Sequence, residues 1–560
     1  MPELSSLAED QVRLLPLGGL GEIGLNMMAL EHQSKIVIID CGLMFPEAYM
    51  LGIDIVIPDT SILEERVADI CGLLLTHGHE DHIGAIPFLI DKLGFPPVYG
   101  TRLTLGLLKG KLVEHDLDSR VDCHEVSLRQ PLELGPFTVE FFRAAHSIVD
   151  GTGLAIRTGA GLIVHTGDFK LDPTPVDGEQ TDLAFLKKCG DEGVRLLLAD
   201  STNIEKEGHT RSEKEVGEAF VEIMPQCRGQ VVMATFSSNI HRIQQIVDAA
   251  VASHRKILIN GRSMVNNIAI ARQLGYLHIP DEALIDLRDY RTLPPHQIMV
   301  LTTGSQGEPL SSLTRIAMDE HKQIRLASGD TVILSSKFIP GNEKAIASMI
   351  NHIYRRGAEV HYETTSEIHV SGHAAREELR QVIELTRPEC FVPVHGEYRH
   401  LVKHADLARD TGLNPAAAPV LENGTSLRLS PTAIEIGEKF NSGRIFVDGK
   451  GVGDVGFMEL RDRSHLAHHG MVVVMLGLDR MTGKIVYGPE LMTRGFLIED
   501  DHHDFLEQAR QVIVEMLAEH SLEALSDCEE LRVEVRRSLR RFFNKSIERR
   551  PMILPIILEF

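Results

Sequence analysis

Thr76-His77-Gly78-His79-Glu80-Asp81-His82 is the stretch that decides the fold. Three imidazoles and a carboxylate, spaced H-x-H-x-D-H, follow a short apolar run at 71–75 and precede a helical pattern at 83–93. A strand ending in a tight turn would aim all four side chains at one point. Neutral imidazole nitrogens and carboxylate oxygens are zinc ligands, and four of them exceed what one open catalytic site needs. The spacing therefore predicts two metal ions side by side, a pairing suited to hydrolysis of phosphodiesters and related bonds. With 27 His in the chain some clustering arises by chance. Four ligand-type residues so close together are different, because burying them without metal leaves several polar groups to satisfy at once.

The 560 residues allow about three or four domains. A hydrophobic content of 43% and a charged content of 24% fit an ordinary soluble globular protein. No apolar run reaches the roughly 18 residues that span a bilayer, so no membrane partner is expected. Residues 1–10 carry acids and no basic region, unlike a secretory signal. Seven cysteines are scattered without a C-x-x-C pair, which points to reduced thiols and a cytoplasmic location. The net charge of −23 would repel a polyanion as a whole. It argues against broad duplex binding but permits a strand gripped in a narrow channel where metal ions supply local positive charge.

Short β-rich runs dominate up to residue 198 (12–16, 35–40, 138–143, 154–157, 162–165 and 195–199), as packed sheets require. From 213 helical stretches (213–224, 240–251, 265–274, 343–354) alternate with buried-looking strands (231–235, 256–260, 297–302, 331–335), the pattern of a doubly wound α/β domain. A helix (374–385), a strand (390–394) and a helix (398–408) follow. The Gly-rich segment 437–456 reads as a linker. The last hundred residues offer strands at 471–476, 484–487 and 552–558 and helices at 503–520 and 529–545, the second strongly basic, which reads as a solvated face, with an RNA or partner contact as the alternative. So small a unit buries little alone, and self-association through it is expected.

A two-metal site needs further ligands. His146, Asp168 and His395 each follow an apolar run and precede a turn, where sheet scaffolds carry chemistry. The order of these motifs resembles the metallo-β-lactamase superfamily, with Asp40 matching its first motif. The resemblance implies an αβ/βα sandwich. It implies one zinc on His77, His79 and His146, another on Asp81, His82 and His395, and Asp168 bridging them. The 227-residue interval between Asp168 and His395 is far longer than a small-molecule hydrolase requires, and it looks like the β-CASP insertion of nucleic-acid-processing members. Asp200 in Leu198-Ala199-Asp200-Ser201-Thr202, His373 in His369-Val370-Ser371-Gly372-His373, and His395 match that group's motifs, and a His at the last position resembles the RNA-acting type.

Within the group the chain is most similar to the bacterial ribonuclease J family, over nearly its whole length. The matching stretches are Leu17-Gly18-Gly19-Leu20-Gly21-Glu22-Ile23-Gly24, Ala234-Thr235-Phe236-Ser237-Ser238-Asn239-Ile240-His241-Arg242, Thr303-Gly304-Ser305-Gln306-Gly307-Glu308-Pro309, Ile339-Pro340-Gly341-Asn342-Glu343 and Pro551-Met552-Ile553-Leu554-Pro555. The implied architecture is α/β: a sandwich at 1–211 and 368–436, an inserted doubly wound β-CASP domain at 212–367, a linker at 437–460 and a small α/β C-terminal domain at 461–560. The implied activity is a metal-dependent ribonuclease with 5′-to-3′ exonuclease and endonuclease action on single-stranded, preferably 5′-monophosphorylated RNA, in RNA maturation and decay. Two Zn2+ per subunit are implied, with Mn2+ or Mg2+ as alternatives. Single-stranded RNA, a homodimer or homotetramer through the C-terminal domain, and RNA-decay proteins are the implied partners. Two other readings stand beside this one: a thioester or lactone hydrolase of the same superfamily, which the long interval disfavours, and a non-catalytic RNA-binding scaffold, which the full ligand set disfavours.

In the implied chemistry His373 meets charge on the phosphate or protonates the leaving oxygen, Asp81 accepts or orients the proton of the attacking water, and Asp200 orients a ligand or His373. Ser237, Ser238 and Asn239 open a helix, where exposed amides favour anions, and His369, Val370, Ser371, Gly372 and His373 precede another. Both segments are read as 5′-phosphate and RNA contacts, with helix capping as the alternative. Some members of the family carry a hard cation near the linker, and the resemblance implies such a Ca2+ or Mn2+ site at Asp448 with backbone carbonyls near Tyr49 and Leu51. Gly19-Leu20-Gly21-Glu22-Ile23-Gly24 satisfies G-x-G-x-x-G, but strand-like residues follow, so it reads as a tight turn beneath the metal site and not as a dinucleotide loop.

Overall fold

The computed structural model describes every residue except 1–3, 309, 340–341, 364–367, 480–481, 483, 498–502 and 520–527. Pro309, Pro340 and Gly341 of the matching stretches, and His520 at the end of a predicted helix, lie outside the described residues. An eight-stranded sheet runs in the order Ile434–Lys439, Thr425–Leu429, Val12–Gly18, Met27–His32, Lys35–Ile39, Ile70–Leu74, Val98–Gly100, Cys123–Glu125. A six-stranded sheet runs Cys390–Val394, Val194–Asp200, Gly161–His165, Thr152–Thr158, Phe137–Arg143, Leu132–Leu134.

Period-two alternation explains how the layers stack. Along Val194–Asp200, Leu196 and Leu198 enter the core shared with the eight-stranded sheet, while Leu197 and Ala199 enter a second core. Phe141 and Phe142 divide the same way. The second core is closed by helices Leu183–Glu192, Arg376–Thr386 and Tyr398–Asp410 through Phe185, Leu379, Ile383 and Ala405. A strand covered on both faces must read as a continuous apolar run, as Leu196-Leu197-Leu198-Ala199 does. These layers are the outcome expected of an αβ/βα sandwich.

The inserted domain holds five parallel strands in the order Lys256–Ile259, Ile298–Thr302, Val231–Ala234, Thr331–Leu334, Glu359–His361. Helices Glu213–Ile223, Ile240–Ala252, Arg262–Leu274 and Glu343–Arg355 connect them, as the doubly wound reading expects. The last compact unit joins 446–560 with Pro46–Asp54. Its three-stranded sheet (Ile485–Arg494, Met471–Leu478, Met552–Glu559) is covered on one face by helices His503–Glu519 and Cys528–Ile547. In the basic helix Leu531, Val535, Leu539 and Phe543 form the buried stripe, four residues apart. On its wet side Arg532 pairs with Glu529 and Arg537 with Glu534, as a solvated face should.

Two expectations need correction. The helix read at 83–93 is two single turns, Glu80–Ile83 and Ile86–Leu89, so Asp81 and His82 sit in a helical turn and not in a loop. Pro87 favours the start of a turn and cannot continue one. The linker read at 437–460 is largely ordered structure: Ile434–Lys439 pairs with Thr425–Leu429, Arg444–Asp448 pairs with Gly451–Val452, and helix Phe457–His469 runs across residue 460. Its glycines serve turns, with Gly449 and Gly453 at positive φ.

Phe141 is fully buried between the two sheets. Phe141→Ala should cost about 3–5 kcal/mol, read as a lower urea midpoint for the sandwich; an unchanged midpoint would contradict its place in the shared core.

Candidate metal centre

Five of the seven expected ligands lie just past a strand end, and Asp81 and His82 sit in the helical turn Glu80–Ile83. His77 and His79 follow Ile70–Leu74, His146 follows Phe137–Arg143, Asp168 follows Gly161–His165, and His395 follows Cys390–Val394. Asp200 is the last residue of its strand. Asp40 and His395 hold positive φ, a conformation that a non-glycine residue keeps only when its surroundings impose it. Gly42 is required by close approach: a Cβ there would stand 1.6 Å from the Asp81 carbonyl oxygen. Gly372 is similar, since a Cβ would meet the His146 ring at 2.6 Å.

The seven residues converge. His77 Nε2 and His146 Nε2 lie 3.0 and 3.2 Å from His79 Nδ1. Asp168 Oδ2 is 3.8 Å from His77, 3.9 Å from His146 and 3.3 Å from His82, and its Oδ1 is 3.4 Å from His395. One carboxylate thus faces both groups of ligands. Asp81 Oδ2 stands 3.3 Å from His395 Nε2 and 3.7 Å from His82 Nε2. Potential ligand atoms fall into three sets: His77, His79 and His146; Asp81, His82, Asp168 and His395; and Asp168, Asp200, His373 and His395. The third set brings Asp200 and His373 within reach of a metal as well, beyond the roles expected of them.

The electrostatics fit cations. Burial first, then neighbouring imidazoles, hold His77 and His146 well below the ordinary range, and burial holds His79 at about 4. The neutral ring is the form that ligates metal. Burial also opposes charge on His395, but Asp168, Asp200 and Asp81 outweigh it and raise its pKa to about 10. His82 is raised too, because Asp168, Asp81 and Asp40 overcome its burial. Conversely, His395 and His82 outweigh burial and hold Asp168 well below the usual carboxylate range. The acids in this pocket attract positive charge strongly, and two metal ions would satisfy them as ring protons do.

Surrounding groups fix the ligands' orientation. Asp40 Oδ2 accepts from His82 Nδ1 and from Thr76 Oγ1, both at 2.8 Å. The Gly372 carbonyl accepts from His146 Nδ1 at 2.7 Å, and Asp200 accepts from His373 Nδ1 at 2.7 Å. Two participants were missed by the sequence reading. Thr202 Oγ1 lies 2.8 Å from His395 Nδ1, and Asn26 Nδ2 lies 3.1 Å from His82 Nε2. Thr202 stands two residues after Asp200, which was its only signal; Asn26 ends the glycine-rich turn. That turn does lie beneath the site: His395 N–H donates to the Gly19 carbonyl, and Leu20–Gly21 pairs with Gly396–Glu397. A strand follows it, Met27–His32.

The expected phosphate contacts are divided. Asn239 Oδ1 caps helix Ile240–Ala252 by accepting from Arg242 N–H, and Ser237 Oγ accepts from Asn267. Ser371 Oγ accepts from Asn203, whose amide also holds the His373 carbonyl. His369 and Val370 lie in the same crossing segment. The further cation site is corrected. Arg463 donates to Asp448 Oδ2 at 2.6 Å and to the Leu51 carbonyl at 3.0 Å, so a guanidinium engages the two oxygens meant for Ca2+ or Mn2+. Tyr49 is half-exposed beside them in sequence.

Comparison with known proteins agrees along the whole chain. Family models match at 16–218 (Beta-lactamase superfamily domain), 228–353 (Ribonuclease J, beta-CASP domain), 357–419 (Zn-dependent metallo-hydrolase RNA specificity domain) and 458–560 (Ribonuclease J C-terminal domain). Ribonuclease J of Thermus thermophilus is 42% identical, covering 98% of this chain and 96% of its own. Ribonuclease J2 of Bacillus subtilis is 39% identical, covering 98% and 99%. Ribonuclease J of Mycolicibacterium smegmatis is 40% identical, covering 99% and 98%. A solved structure of a protein of unknown function from Enterococcus faecalis shares the fold, with a TM-score of 0.53 at 16% identity, covering 75% of this chain and all of that one.

Asp40→Ala removes the acceptor that orients His82. It should weaken divalent-metal binding roughly 10–100-fold, measured by titration calorimetry on the stripped protein; unchanged affinity would contradict the orienting role.

Proposed function

Because the chain belongs to the ribonuclease J family and is a metal-dependent ribonuclease, we propose that it degrades single-stranded RNA 5′-to-3′ and also cuts internally, preferring a 5′-monophosphate, in RNA maturation and decay. The observation carrying this reading is the seven-residue cluster joined to an inserted α/β domain, whose returning chain touches the cluster through Gly372 on His146 and His373 on Asp200.

In this reading His77, His79 and His146 would hold one Zn2+ and Asp81, His82 and His395 the second, with Asp168 available to both and Mn2+ or Mg2+ as substitutes. Bound there, two such ions supply charge stabilisation at the scissile phosphate and a more acidic water. The chain's own groups do the rest. Asp200 accepts from His373 Nδ1 and so orients the ring, whose Nε2 faces the leaving oxygen as the group that passes it a proton. Asp81, as a metal-bound carboxylate and so a weak base, orients the attacking water by accepting its hydrogen bond. Ser237, Ser238 and the start of the helix behind Asn239, together with His369, Val370, Ser371, Gly372 and His373, offer hydroxyls and amides to the terminal phosphate. Burial first, and then Arg242, Lys206, Lys337 and Lys170, hold His369 well below its ordinary range. Of these four cations Arg242 and Lys170 are paired with Glu213 and Asp172, so the ones added at this end are Lys206 and Lys337.

Self-association through the C-terminal sheet is proposed on its uncovered face. Leu554, Ile556 and Met492 are about 40% exposed there, with half-buried Val473 and Met475 between them. A cytoplasmic location is proposed from seven cysteines that form no disulfide. No helix among the described residues is long and apolar enough to cross a membrane.

With Zn2+, Mn2+ or Mg2+ the protein should release mononucleotides from 5′-monophosphorylated single-stranded RNA; no release with any of the three would overturn the proposal. His77→Ala should abolish cleavage while leaving RNA binding in a gel-shift assay largely intact, and full activity in that variant would remove the ligand assignment. Leu554→Asp with Ile556→Asp should lower the mass found by light scattering; an unchanged multimer would rule out this face.

A further inference from the structure

A second cluster of charges lies outside the ligand set, where the inserted domain leaves and re-enters the sandwich. Lys170, Asp172, Glu213 and Arg242 have side chains 2% exposed or less. Lys170 Nζ is 3.2 Å from Asp172 Oδ2 and 3.8 Å from Glu213 Oε1. Arg242 donates to Glu213 Oε2 at 2.6 Å. Two cations and two anions balance, so none is buried without a counter-charge. Apolar residues of the same size would serve packing equally well, and the best-attested use of buried ions is to fix registry.

What the four connect indicates which registry. Lys170 stands two residues past Asp168, and its N–H donates to the carbonyl of Ala145, the neighbour of His146. Glu213 opens the first helix of the inserted domain, and its N–H donates to Asp172. Arg242 lies in the first turn of helix Ile240–Ala252, beside its cap Asn239. The guanidinium also donates to Ser335 Oγ at 2.6 Å and to the Ile368 carbonyl at 3.1 Å, and Ser335 Oγ donates to that same carbonyl at 2.7 Å. Ile368 immediately precedes His369, and four residues on, Gly372 accepts from His146. One buried chain of polar contacts therefore runs from the Asp168 loop to both segments proposed to hold the 5′ phosphate.

We propose that Arg242, braced by Glu213 and Lys170, is a positioning residue that sets the two phosphate-holding segments at a fixed distance from the metal ligands, and so controls discrimination between a 5′-phosphorylated and an unphosphorylated RNA end. This rests on the phosphate-binding reading above. A guanidinium suits the task because its rigid planar fork divides the contacts to three segments between two fixed nitrogens, whereas an ammonium places all its donors on one atom of a flexible stem.

The test compares initial cleavage rates on one single-stranded oligonucleotide carrying either a 5′-monophosphate or a 5′-hydroxyl. The enzymes are the metal-loaded wild type, Arg242→Lys and Ser335→Ala; the last keeps all four charges and guards against a variant that fails to fold. Arg242→Lys should lose about tenfold of the wild-type preference for the phosphate and Ser335→Ala about threefold, with the 5′-hydroxyl rate within roughly threefold of wild type, since misplacement of about 1 Å alters positioning on this scale. An undiminished preference in the folded variants, or an equal loss on both substrates, overturns the inference. Absence of any preference in the wild type overturns the phosphate reading instead.

Discussion

The carboxylate of Asp168 facing imidazoles from both ligand groups is the contact on which the rest of the structure depends. Its neighbours His77, His82, His146 and His395 come from three other strand ends and one helical turn, and all five side chains are almost wholly buried. Such a group has no apolar solution; it must be neutralised, by ring protons or by metal. The fold serves that requirement. Two sheets place their strand ends at one rim, and Gly42 and Gly372 let backbone approach where a Cβ would collide.

The charge of the chain looks opposed to its substrate, and the structure reconciles the two locally. Repulsion of RNA by a distant net charge is screened over about 8 Å at physiological salt. A strand at the site would meet any bound metal together with Lys206 and Lys337 near His369, not the average surface. A net acidic chain disfavours loose adhesion to nucleic acid, while metal bound at the site would hold a committed strand. None of the seven ligand candidates belongs to the C-terminal unit.

Much of the site was legible because metal ligation writes itself locally. H-x-H-x-D-H, and single His or Asp residues after apolar runs, are visible without contacts. Asn26 and Thr202 were not, since a lone Asn or Thr has no periodicity and meets its partner 56 or 193 residues away. Nothing in the sequence around Lys170, Glu213 and Arg242 marks them as buried, and only packing shows that they are. Packed sheets and a doubly wound domain were readable from the switch between short β-rich runs and helix–strand alternation, whereas the αβ/βα sandwich and the insertion came from the family resemblance. The segment 437–460 was misread because turns between short strands share the Gly-rich composition of a linker. Asp448 was misread because nothing in its sequence neighbourhood marks Arg463 as its partner.

Anomalous diffraction from crystals grown with Zn2+ or Mn2+, collected at that metal's absorption edge, tests the central claim most directly. The account predicts two peaks about 3.5–4 Å apart on either side of Asp168, one against His77, His79 and His146 and one against Asp81, His82 and His395. A full-occupancy metal elsewhere with none beside Asp168 would contradict it.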